Sequence, residues 1–476
     1  MFGAWPVPGP LPATRAMSEI IDIAVIGAGP AGLAAASVAA QHGLTVVLLD
    51  EQPAAGGQIY RAIGSADAHL QDILGRDYAA GRTLLNILDQ PAIDYRAGAT
   101  VWNLTAQGNI SYTFGGSART LSARHVIVCT GALERPMPFP GWTVPGVMTA
   151  GAGQILLKSS ELIPPAPTLL AGNGPLLFLV AAQYLRAGHR PAAIVETTPW
   201  RNYGAALGAL PGALRANSYL RKGWALLAEI KRGRVPHYRA ATNLRALGTA
   251  HVKALEFRAG GRQRRIPCAS LLIHSGIVPN VQISRALDLD HLWDPAQRCW
   301  RPRLGAWGET SLETISIAGD GAGIGGAEAA LHCGRLAALH AAWRLGAIES
   351  HAEITRLAKG ERKALAVHHA ARPFLDLLYA PSRAFLNPPD ETIVCRCEEV
   401  SAGAIRGYAK LGCLGPNQTK AFGRPGMGPC QGRYCGLSVA EIIAAARGIP
   451  LENVGYYRVR PPIKPVTLGE VSALSG

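Results

Sequence analysis

A glycine-rich turn between two short apolar runs is the feature that most limits what this chain can fold into. Residues 22–27 (DIAVIG) are apolar and β-branched, which is typical of a buried parallel strand. The turn GAGPAG follows, a helical pattern then runs to Gly43, and a second apolar run at 45–50 ends in acidic residues. Two parallel strands joined through a helix form a βαβ unit, so the sequence predicts a parallel sheet covered by helices.

The same unit carries the residues of a dinucleotide site. Gly27 permits the tight turn, Gly29 lets the backbone approach a pyrophosphate, and Gly32 lets the helix pack closely on the strand. The helix N-terminus offers N–H groups and a positive dipole to the phosphates. Asp50, with Glu51 beside it, is placed to accept hydrogen bonds from ribose hydroxyls. Because strand, turn, helix and acid occur in register, the sequence predicts a dinucleotide site rather than an ordinary turn.

Four further motifs follow in a fixed order: GGQIYR at 56–61, HVIVCTGA at 125–132, GIVPN at 276–280 and GDGAGIGGAEAA at 319–330. The series resembles the two-dinucleotide-domain flavoproteins, the glutathione and thioredoxin reductase-like group, over residues 20–345. This resemblance implies that the first site binds FAD and that a helix starting near Gly325 aims its N-terminus at the flavin ring. The residues that it places at FAD are Gly27, Gly29, Gly32, Asp50, Glu51, Gly57, Gln58, Val101, Thr130, Gly131, Gly319 and Asp320.

A second strand–turn–helix–strand pattern spans residues 168–197. Gly172 and Gly174 occupy the first two fingerprint positions, but Leu177 occupies the third. A bulky residue there forces the helix away from the strand or shifts the approach of the phosphate. Glu196 ends the second strand and would favour a ribose 2′-hydroxyl over a 2′-phosphate. A functional NAD site, a vestigial fold and a pocket for another adenine nucleotide such as ATP all stay open.

The disulfide chemistry of the reductases is missing from this sequence. The cysteines before residue 395 are isolated from one another, and none belongs to a Cys-x-x-Cys or Cys-x4-Cys pair. They are expected to be buried small apolar residues: Cys129, Cys268, Cys299 and Cys333. Electrons on a flavin would therefore have to leave by another path.

Four of the nine cysteines crowd near the C-terminus in two close pairs, Cys395 with Cys397 and Cys430 with Cys435. Four thiolates so arranged can ligate zinc or an iron–sulfur cluster, although zinc knuckles rarely use a Cys-x-Cys pair. The glycine-rich loop 423–428 would let backbone N–H groups reach cluster sulfurs. The cysteine spacing, with GMG-x-CQGR-x-C, resembles the bacterioferritin-associated ferredoxin-like domain. That resemblance implies a [2Fe-2S] cluster on these four residues, with Cys413 as a spare.

The combination of these two regions over residues 18–472 resembles the α (A) subunits of bacterial heteromeric FAD-dependent amine dehydrogenases. That group includes opine oxidase, D-hydroxyproline dehydrogenase and hydrogen cyanide synthase, with sarcosine oxidase more distant. In the group, amine oxidation takes place on a separate FAD-bearing β subunit of the D-amino-acid-oxidase type; a small [2Fe-2S] γ subunit is a further candidate partner. The resemblance implies an electron relay with no catalytic residue of its own. A stand-alone NAD(P)H-dependent flavin and iron–sulfur oxidoreductase using Gly172 and Gly174 is the alternative.

Composition and charge bear on which other classes of protein this chain could belong to. A chain of 476 residues with 48% hydrophobic and 17% charged residues is not disordered. The formal charge of +15 suggests nucleic acid, but the basic stretch 211–240 lacks any recognition motif or interleaved aromatics and is better explained as a solvated or subunit-facing helix. There is no apolar run of membrane-spanning length, and the cysteine usage suits a reducing cytoplasm.

The sequence predicts an α/β chain with two Rossmann-like dinucleotide-binding domains and a small C-terminal helical [2Fe-2S] domain. The N-terminal extension at 1–16 is predicted to be disordered, and Met17 is the predicted natural start. The FAD-binding domain is predicted in two portions, 17–150 and 276–346, and a second, NAD-like nucleotide-binding domain at 151–275 separates them. A helical linker at 347–390 then leads to the [2Fe-2S]-binding domain at 391–450, and a C-terminal tail at 451–476 is expected to pack on the flavin domain.

Overall fold

The computed structural model describes residues 20–475. The predicted extension at 1–16 and the predicted start at Met17 therefore lie outside the described residues. Among the helices of the described region of the chain, none combines the length and apolar character that crossing a membrane requires.

The first domain is built on a sheet whose central strands are parallel and buried on both faces, as their β-branched sequences predict. In spatial order its strands are Ile93–Ala97, Val46–Asp50, Ile20–Ile26 and Ser117–Val128, with Ile315–Ile317 paired in parallel to the last of these. An antiparallel pair, Thr100–Leu104 and Asn109–Phe114, continues the sheet from the start of Ser117–Val128. The predicted βαβ unit is confirmed, with its helix at Pro30–Gln41.

Small residues let two helices of this domain pack almost in contact. Helix Pro30–Gln41 lies against helix Ala327–Arg344, and both are rich in buried alanine. At Gly334 a Cβ atom would lie 2.0 Å from the carbonyl oxygen of Ala31, so only glycine fits there. This contact joins the first glycine motif to the late Gly-Asp segment, which are about 300 positions apart in the chain.

The second domain repeats this arrangement. Its parallel sheet has the strand order His237–Tyr238, Ala193–Glu196, Thr168–Asn173, Ser270–Ser275 and Val147–Thr149. A three-stranded antiparallel sheet lies beside it and consists of Thr242–Gly248, Val252–Ala259 and Arg262–Pro267. Two dinucleotide-type domains of the same design are therefore present, as the fold class requires.

The chain passes between the two domains on a pair of short strands. Ala132–Glu134 runs into the second domain and pairs antiparallel with Ile277–Pro279, which returns from it. The strand Val147–Thr149, assigned to the first domain by a boundary at 150, belongs to the second sheet because it pairs with Ser270–Ser275. That boundary is therefore too late, because the antiparallel pair at 132–134 is where the chain leaves the first sheet.

The other helices and strands of these two domains cover the sheets or line the space between them. They are Ala68–Leu74, Arg76–Ala79, the 3₁₀ helix Ala80–Asp89, Ala150–Ser160, Pro175–Arg186, Trp200–Leu207, Leu210–Arg215, Asn217–Arg232, Gln282–Ala286, the hairpin His291–Asp294 and Cys299–Pro302, and the 3₁₀ turn Gly319–Gly321.

The segment predicted as a linker is a 28-residue helix, His351–Leu378, that packs on both domains. The Ser350 side chain caps it by accepting a hydrogen bond from the Glu353 N–H at 3.1 Å. Its buried positions contact Ala327–Arg344 in the first domain and helices Trp200–Leu207 and Leu210–Arg215 in the second. The segment therefore belongs to the two-domain body, because it packs against helices of both domains.

The C-terminal domain is small and mainly helical. It contains the strands Ile393–Cys395 and Val400–Ser401 and the helices Ala402–Lys410, Pro416–Gly423 and Gly436–Arg447. The short helix Arg383–Leu386 precedes it, and the 3₁₀ helix Leu451–Asn453 follows it. The extended stretch that follows lies on the first sheet, where the Ile463 N–H donates to the Trp102 carbonyl at 2.9 Å. The last described elements are Leu468–Ser472 and Ala473–Ser475.

Candidate functional site

A cavity of about 2210 Å³ lies between the two domains and reaches the C-terminal domain. Most of the residues that the sequence singles out line this one space, although they come from distant regions of the chain. The predicted site residues that line it are Gly27, Gly29, Asp50, Glu51, Gly57, Gln58, Val101, Thr130, Gly131, Gly174, Gly319, Asp320, Cys395, Cys397, Cys430 and Cys435. The other three, Gly32, Gly172 and Glu196, lie behind its wall.

The first glycine motif packs so closely against neighbouring backbone that a side chain does not fit at its first and third glycines. We call this turn and the GGQ loop beside it the cradle. Gly27 has a φ of +106°, and a Cβ there would lie 2.5 Å from the Cys129 carbonyl oxygen. A Cβ on Gly32 would lie 1.8 Å from the carbonyl oxygen of Gly27. A Cβ on Gly57, whose φ is +61°, would lie 2.9 Å from the Gly29 Cα. The GGQ loop therefore packs directly on the glycine turn, and together they leave room for a phosphate against bare backbone.

The GGQ loop is held from behind by a buried lysine. Lys158 Nζ donates to the carbonyl oxygens of Gln58 at 3.0 Å and Ile59 at 2.9 Å. Its ammonium group also lies 5.7 Å from the centre of the Tyr78 ring. Burial lowers the pKa of Lys158 to about 7. The loop is thus fixed by its backbone, which leaves the exposed Gln58 side chain uncommitted.

The two acidic residues after the second strand have different surroundings. Asp50 is buried, and its carboxylate accepts hydrogen bonds from the N–H groups of Ala28 at 2.5 Å and Gln52 at 2.7 Å. Burial raises the pKa of Asp50. Glu51 instead forms an ion pair with Lys464 of the C-terminal tail at 2.5 Å. Asp50 is therefore the acid that is tied to the glycine turn, where a ribose would lie.

The far side of the cradle ends in a helix N-terminus. One carboxylate oxygen of Asp320 accepts hydrogen bonds from the N–H groups of Gly325 and Gly326, each at 2.8 Å. These contacts fix the turn that leads into the 18-residue helix Ala327–Arg344, whose first residues line the cavity. A helix of this length presents about half a positive charge at its N-terminus, which favours an anionic group in front of it.

This half of the cavity fits FAD. It offers bare backbone for a pyrophosphate, a buried acid beside the turn and a helix N-terminus facing the space in which a flavin ring would lie. The side-chain oxygen of Gln282, which lines the same space, is buried and finds no hydrogen-bond partner among the described residues. Such an orphaned acceptor suits a ligand N–H group.

At the second glycine motif the chain itself packs against Asn173, whereas Gly174 lines the cavity. The Asn173 side-chain amide donates to the carbonyl oxygens of Tyr379 at 2.8 Å and Ala380 at 3.2 Å. Asn202 donates in the same way to Leu378 and Ala380, each at 3.2 Å. In such sheets a nucleotide binds outside the carboxyl ends of the strands, and Asn173 ends one of them. The end of the long helix occupies that position here.

Glu196, the ribose acceptor that the sequence predicts for the second motif, is enclosed by protein side chains. It is 2% exposed, and its two oxygens are engaged by the Tyr203 hydroxyl and by His237 Nε2, each at 2.9 Å. Burial alone would raise the pKa of Glu196, but the hydrogen bonds from His237 and Tyr203 hold it below its ordinary value. Leu177, in the third fingerprint position, is fully buried in the core beneath the sheet. The two acids therefore differ in their partners and position: Glu196 is held by side chains and does not line the cavity, whereas Asp50 accepts from a backbone N–H group of the glycine turn and lines the cavity.

The four C-terminal cysteines form two sulfur pairs. Cys395 lies beside Cys435, and Cys397 lies beside Cys430. The neighbouring Cys435 thiol, together with backbone N–H groups that include that of Gly426, lowers the pKa of Cys395 to about 6. In residues 20–475, no three His, Cys, Asp or Glu side chains converge as a single ion would require.

Two pairs of thiols fit a [2Fe-2S] cluster better than a single zinc ion. A four-cysteine [2Fe-2S] cluster needs two thiolates at each of its two irons, whereas structural zinc needs four around one centre. Backbone N–H groups directed at the sulfurs are the contacts that tune such clusters. The backbone at Gly428 also packs directly against Cys397, because a Cβ on Gly428 would lie 2.3 Å from the Cβ of Cys397.

Two groups of cavity residues are not among those predicted from the sequence. In the first, Glu134 and His274 meet where the chain crosses between domains, with Oε1 and Nδ1 2.6 Å apart. The other carboxylate oxygen of Glu134 accepts from the Gly151 N–H at 2.9 Å. Glu134 and His274 lie 140 positions apart, so no local pattern connects them.

The long helix contributes the second group. His368, Arg372 and Asp376 line the cavity at intervals of four residues, and Arg372 is ion-paired with Asp376. His368 Nδ1 lies 2.9 Å from the Tyr219 hydroxyl. Burial raises the pKa of Asp376. Their spacing on one helix face is visible in the sequence, but a segment interpreted as a linker gives no reason to expect a site there.

Comparisons with known proteins agree with this architecture. The family model "Pyridine nucleotide-disulphide oxidoreductase" matches residues 21–210, and "Sarcosine oxidase A3 domain" matches residues 391–475. A solved structure of L-proline dehydrogenase from P. horikoshii aligns with a TM-score of 0.69 over 95% of this chain and 79% of that one, at 17% identity. That likeness shows the fold alone, an α/β fold shared with that structure over most of both chains.

Curated relatives match nearly the whole chain. The A subunit of opine oxidase from Rhizobium meliloti (strain 1021) is 39% identical over 95% of this chain and 98% of its own length. Hydrogen cyanide synthase subunit HcnB of Pseudomonas aeruginosa is 30% identical over 93% of this chain and 96% of its own. At this identity and coverage, the chain belongs to the protein family of HcnB and the opine oxidase A subunits.

Proposed function

We propose that this chain is the FAD- and [2Fe-2S]-containing electron-transfer subunit of a cytoplasmic heteromeric dehydrogenase that oxidises an amine or amino acid such as an opine or D-hydroxyproline. Its partner would be an FAD-bearing β subunit of the D-amino-acid-oxidase type, and a further candidate partner is a small [2Fe-2S] γ subunit. The observation that carries the proposal is the shared cavity, which brings the first glycine motif and both cysteine pairs to one space. The relatives named as oxidase and synthase subunits support it.

In this proposal the chain's residues bind, orient and shield the redox groups. FAD and a [2Fe-2S] cluster would supply two-electron and one-electron redox chemistry, respectively. Gly27 and Gly29 would hold the pyrophosphate, and Asp50 would accept from the ribose. The N–H groups at the Cys395 sulfur would stabilise negative charge on the cluster. The identity of the final electron acceptor would depend on which molecules can approach the cavity in the complex with the partner subunit.

The main alternative, a stand-alone NAD(P)H-dependent oxidoreductase, needs a second site that can hold a nicotinamide dinucleotide. Here Tyr379 and Ala380 lie against Asn173, and Glu196 is already hydrogen-bonded. We therefore propose that electrons do not enter from NAD(P)H. The same contacts disfavour an adenosine ribose of NAD or ATP at Glu196.

We expect NADH and NADPH to leave the flavin of the purified protein oxidised. The measurement is anaerobic flavin absorbance near 450 nm after addition of each nucleotide in excess, with dithionite as the control that must bleach it. Rapid, stoichiometric bleaching by either nucleotide would instead establish the alternative function.

The proposed function is tested by comparing the chain alone with the chain co-purified with the products of adjacent genes. We expect the chain alone to show flavin and [2Fe-2S] absorbance but no oxidation of an opine or imino acid. The complex with its β subunit should oxidise one of these substrates in the presence of an artificial electron acceptor. Substrate turnover by the isolated chain would refute the proposal.

A further inference from the structure

Gln282 lies between the loop that would contact the flavin and the loop that carries Cys430. It follows the GIVPN motif, at the start of helix Gln282–Ala286, and is 4% exposed. Its side-chain amide donates to the carbonyl oxygens of Cys430 at 3.4 Å and Gln431 at 3.3 Å. These contacts join the two-domain body to the C-terminal domain across 148 positions of sequence.

The loop that Gln282 holds has a strained backbone. Gln431 has a φ of +47°, which is unfavourable for a residue with a side chain, and Gly432 follows with a φ of +81°. The Cys430 carbonyl also accepts from the N–H and Nε of Arg433, at 3.1 Å and 3.2 Å. Within residues 20–475, the Gln431 carbonyl has no such additional donor. The N–H of Gln431 donates to the Gly428 carbonyl at 2.8 Å, and its side chain donates to the Pro462 carbonyl. The Gln282 amide is therefore the contact that ties the strained residue, next to a predicted ligand, to the two-domain body.

The other end of Gln282 is anchored to the flavin side. Asn280 donates its backbone N–H to the Gly131 carbonyl at 3.0 Å, and its side-chain oxygen accepts from the Gln282 N–H at 3.4 Å. Gln282 lines the cavity, and its side-chain oxygen is buried and lacks a partner in the described region of the chain. One residue thus contacts the cluster loop through its side-chain amide and the flavin-side segment through its backbone.

We infer that Gln282 is a positioning residue that fixes the Cys430 loop relative to the flavin side of the cavity, so that electrons pass between the two groups at the required rate. The inference rests on the proposed function, because it assumes FAD in the first site and a cluster on the four cysteines. Supporting residues around a metal centre typically change its affinity or activity by roughly 10- to 100-fold when they are replaced.

The test is Gln282→Leu, which keeps the size of the side chain and removes the amide. Light-driven reduction of the bound FAD, followed at the cluster absorbance, should give a rate constant for cluster reduction roughly 10- to 100-fold lower than in the unchanged protein. The EPR spectrum of the reduced cluster should also change shape. Gln282→Glu, which removes the donor but keeps an acceptor, should also lower the rate constant and change the shape of the EPR spectrum.

Gln183→Leu is the matched control. Gln183 is also buried but does not line the cavity, and its amide donates to the Leu74 carbonyl at 3.1 Å rather than to the cluster loop. It should leave the EPR spectrum and the rate unchanged. Loss of iron with FAD retained in Gln282→Leu would also support the inference. An unchanged spectrum and rate, or joint loss of FAD and iron, would overturn it, whereas absence of a cluster from the unchanged protein would refute the proposed function instead.

Discussion

Cys397→Ser is expected to abolish cluster binding while leaving FAD in place. Cys397 is exposed, so the substitution costs little packing, but it removes one of the two thiolates in the Cys397–Cys430 pair. An iron held by one protein thiolate instead of two is not retained through purification. Iron and acid-labile sulfide analysis should fall from about two of each per chain to near zero, with loss of the reduced-cluster EPR signal.

Cys413→Ser is the control for this prediction. Cys413 belongs to the same small domain and is buried, but its thiol only donates to the Gly415 carbonyl at 3.4 Å, which a serine hydroxyl can do as well. This variant should keep its iron and its EPR signal. Full iron content in Cys397→Ser, or stoichiometric zinc in the unchanged protein, would contradict the assignment of a [2Fe-2S] site.

Gly32→Ala is expected to abolish or greatly weaken FAD binding. The added Cβ would lie 1.8 Å from the Gly27 carbonyl oxygen, so the helix and the glycine turn would have to move apart. Overpacking of this kind costs about 1–3 kcal/mol, and expressed in binding it lowers affinity by roughly 5- to 150-fold. Flavin content after gel filtration, and the dissociation constant from fluorescence titration, measure the effect.

Gly360→Ala is the matched control, because it adds the same methyl group at a position where there is space for it. Gly360 is an exposed residue inside helix His351–Leu378, and no atom lies within 4 Å of an added Cβ. Alanine there should leave FAD content unchanged and can raise stability by up to about 1 kcal/mol. If Gly32→Ala bound FAD as tightly as Gly360→Ala, the first glycine motif would not be the flavin site.

The features that could be predicted from sequence are those whose signals are local. Gly27, Gly29, Gly32 and Asp50 lie within one βαβ unit, where strand, turn and helix each leave their own pattern. The crowding of four cysteines is equally local. Both candidate sites therefore follow from short stretches of chain, and the structure adds that they share one cavity.

What could not be predicted depends on contacts between distant segments. Asn173 meets Tyr379 across 206 positions, and nothing in the second motif indicates that the chain itself covers it. Glu196 has the expected position at the end of its strand, but its hydrogen bonds with Tyr203 and His237 join residues that no local pattern connects to it. The boundary at 150 is misplaced because the short strand Val147–Thr149 is defined by its pairing with Ser270–Ser275, not by its own sequence.

The most direct test of the electron-relay account is freeze-quench EPR of the complex during a single turnover. The complex of this chain with its amine-oxidising partner is mixed with that partner's substrate in the absence of an external acceptor. The account predicts that the reduced [2Fe-2S] signal appears at the rate of substrate oxidation and is absent from a complex carrying Cys397→Ser. Full reduction of the partner's flavin while the centres of this chain stay oxidised would contradict it.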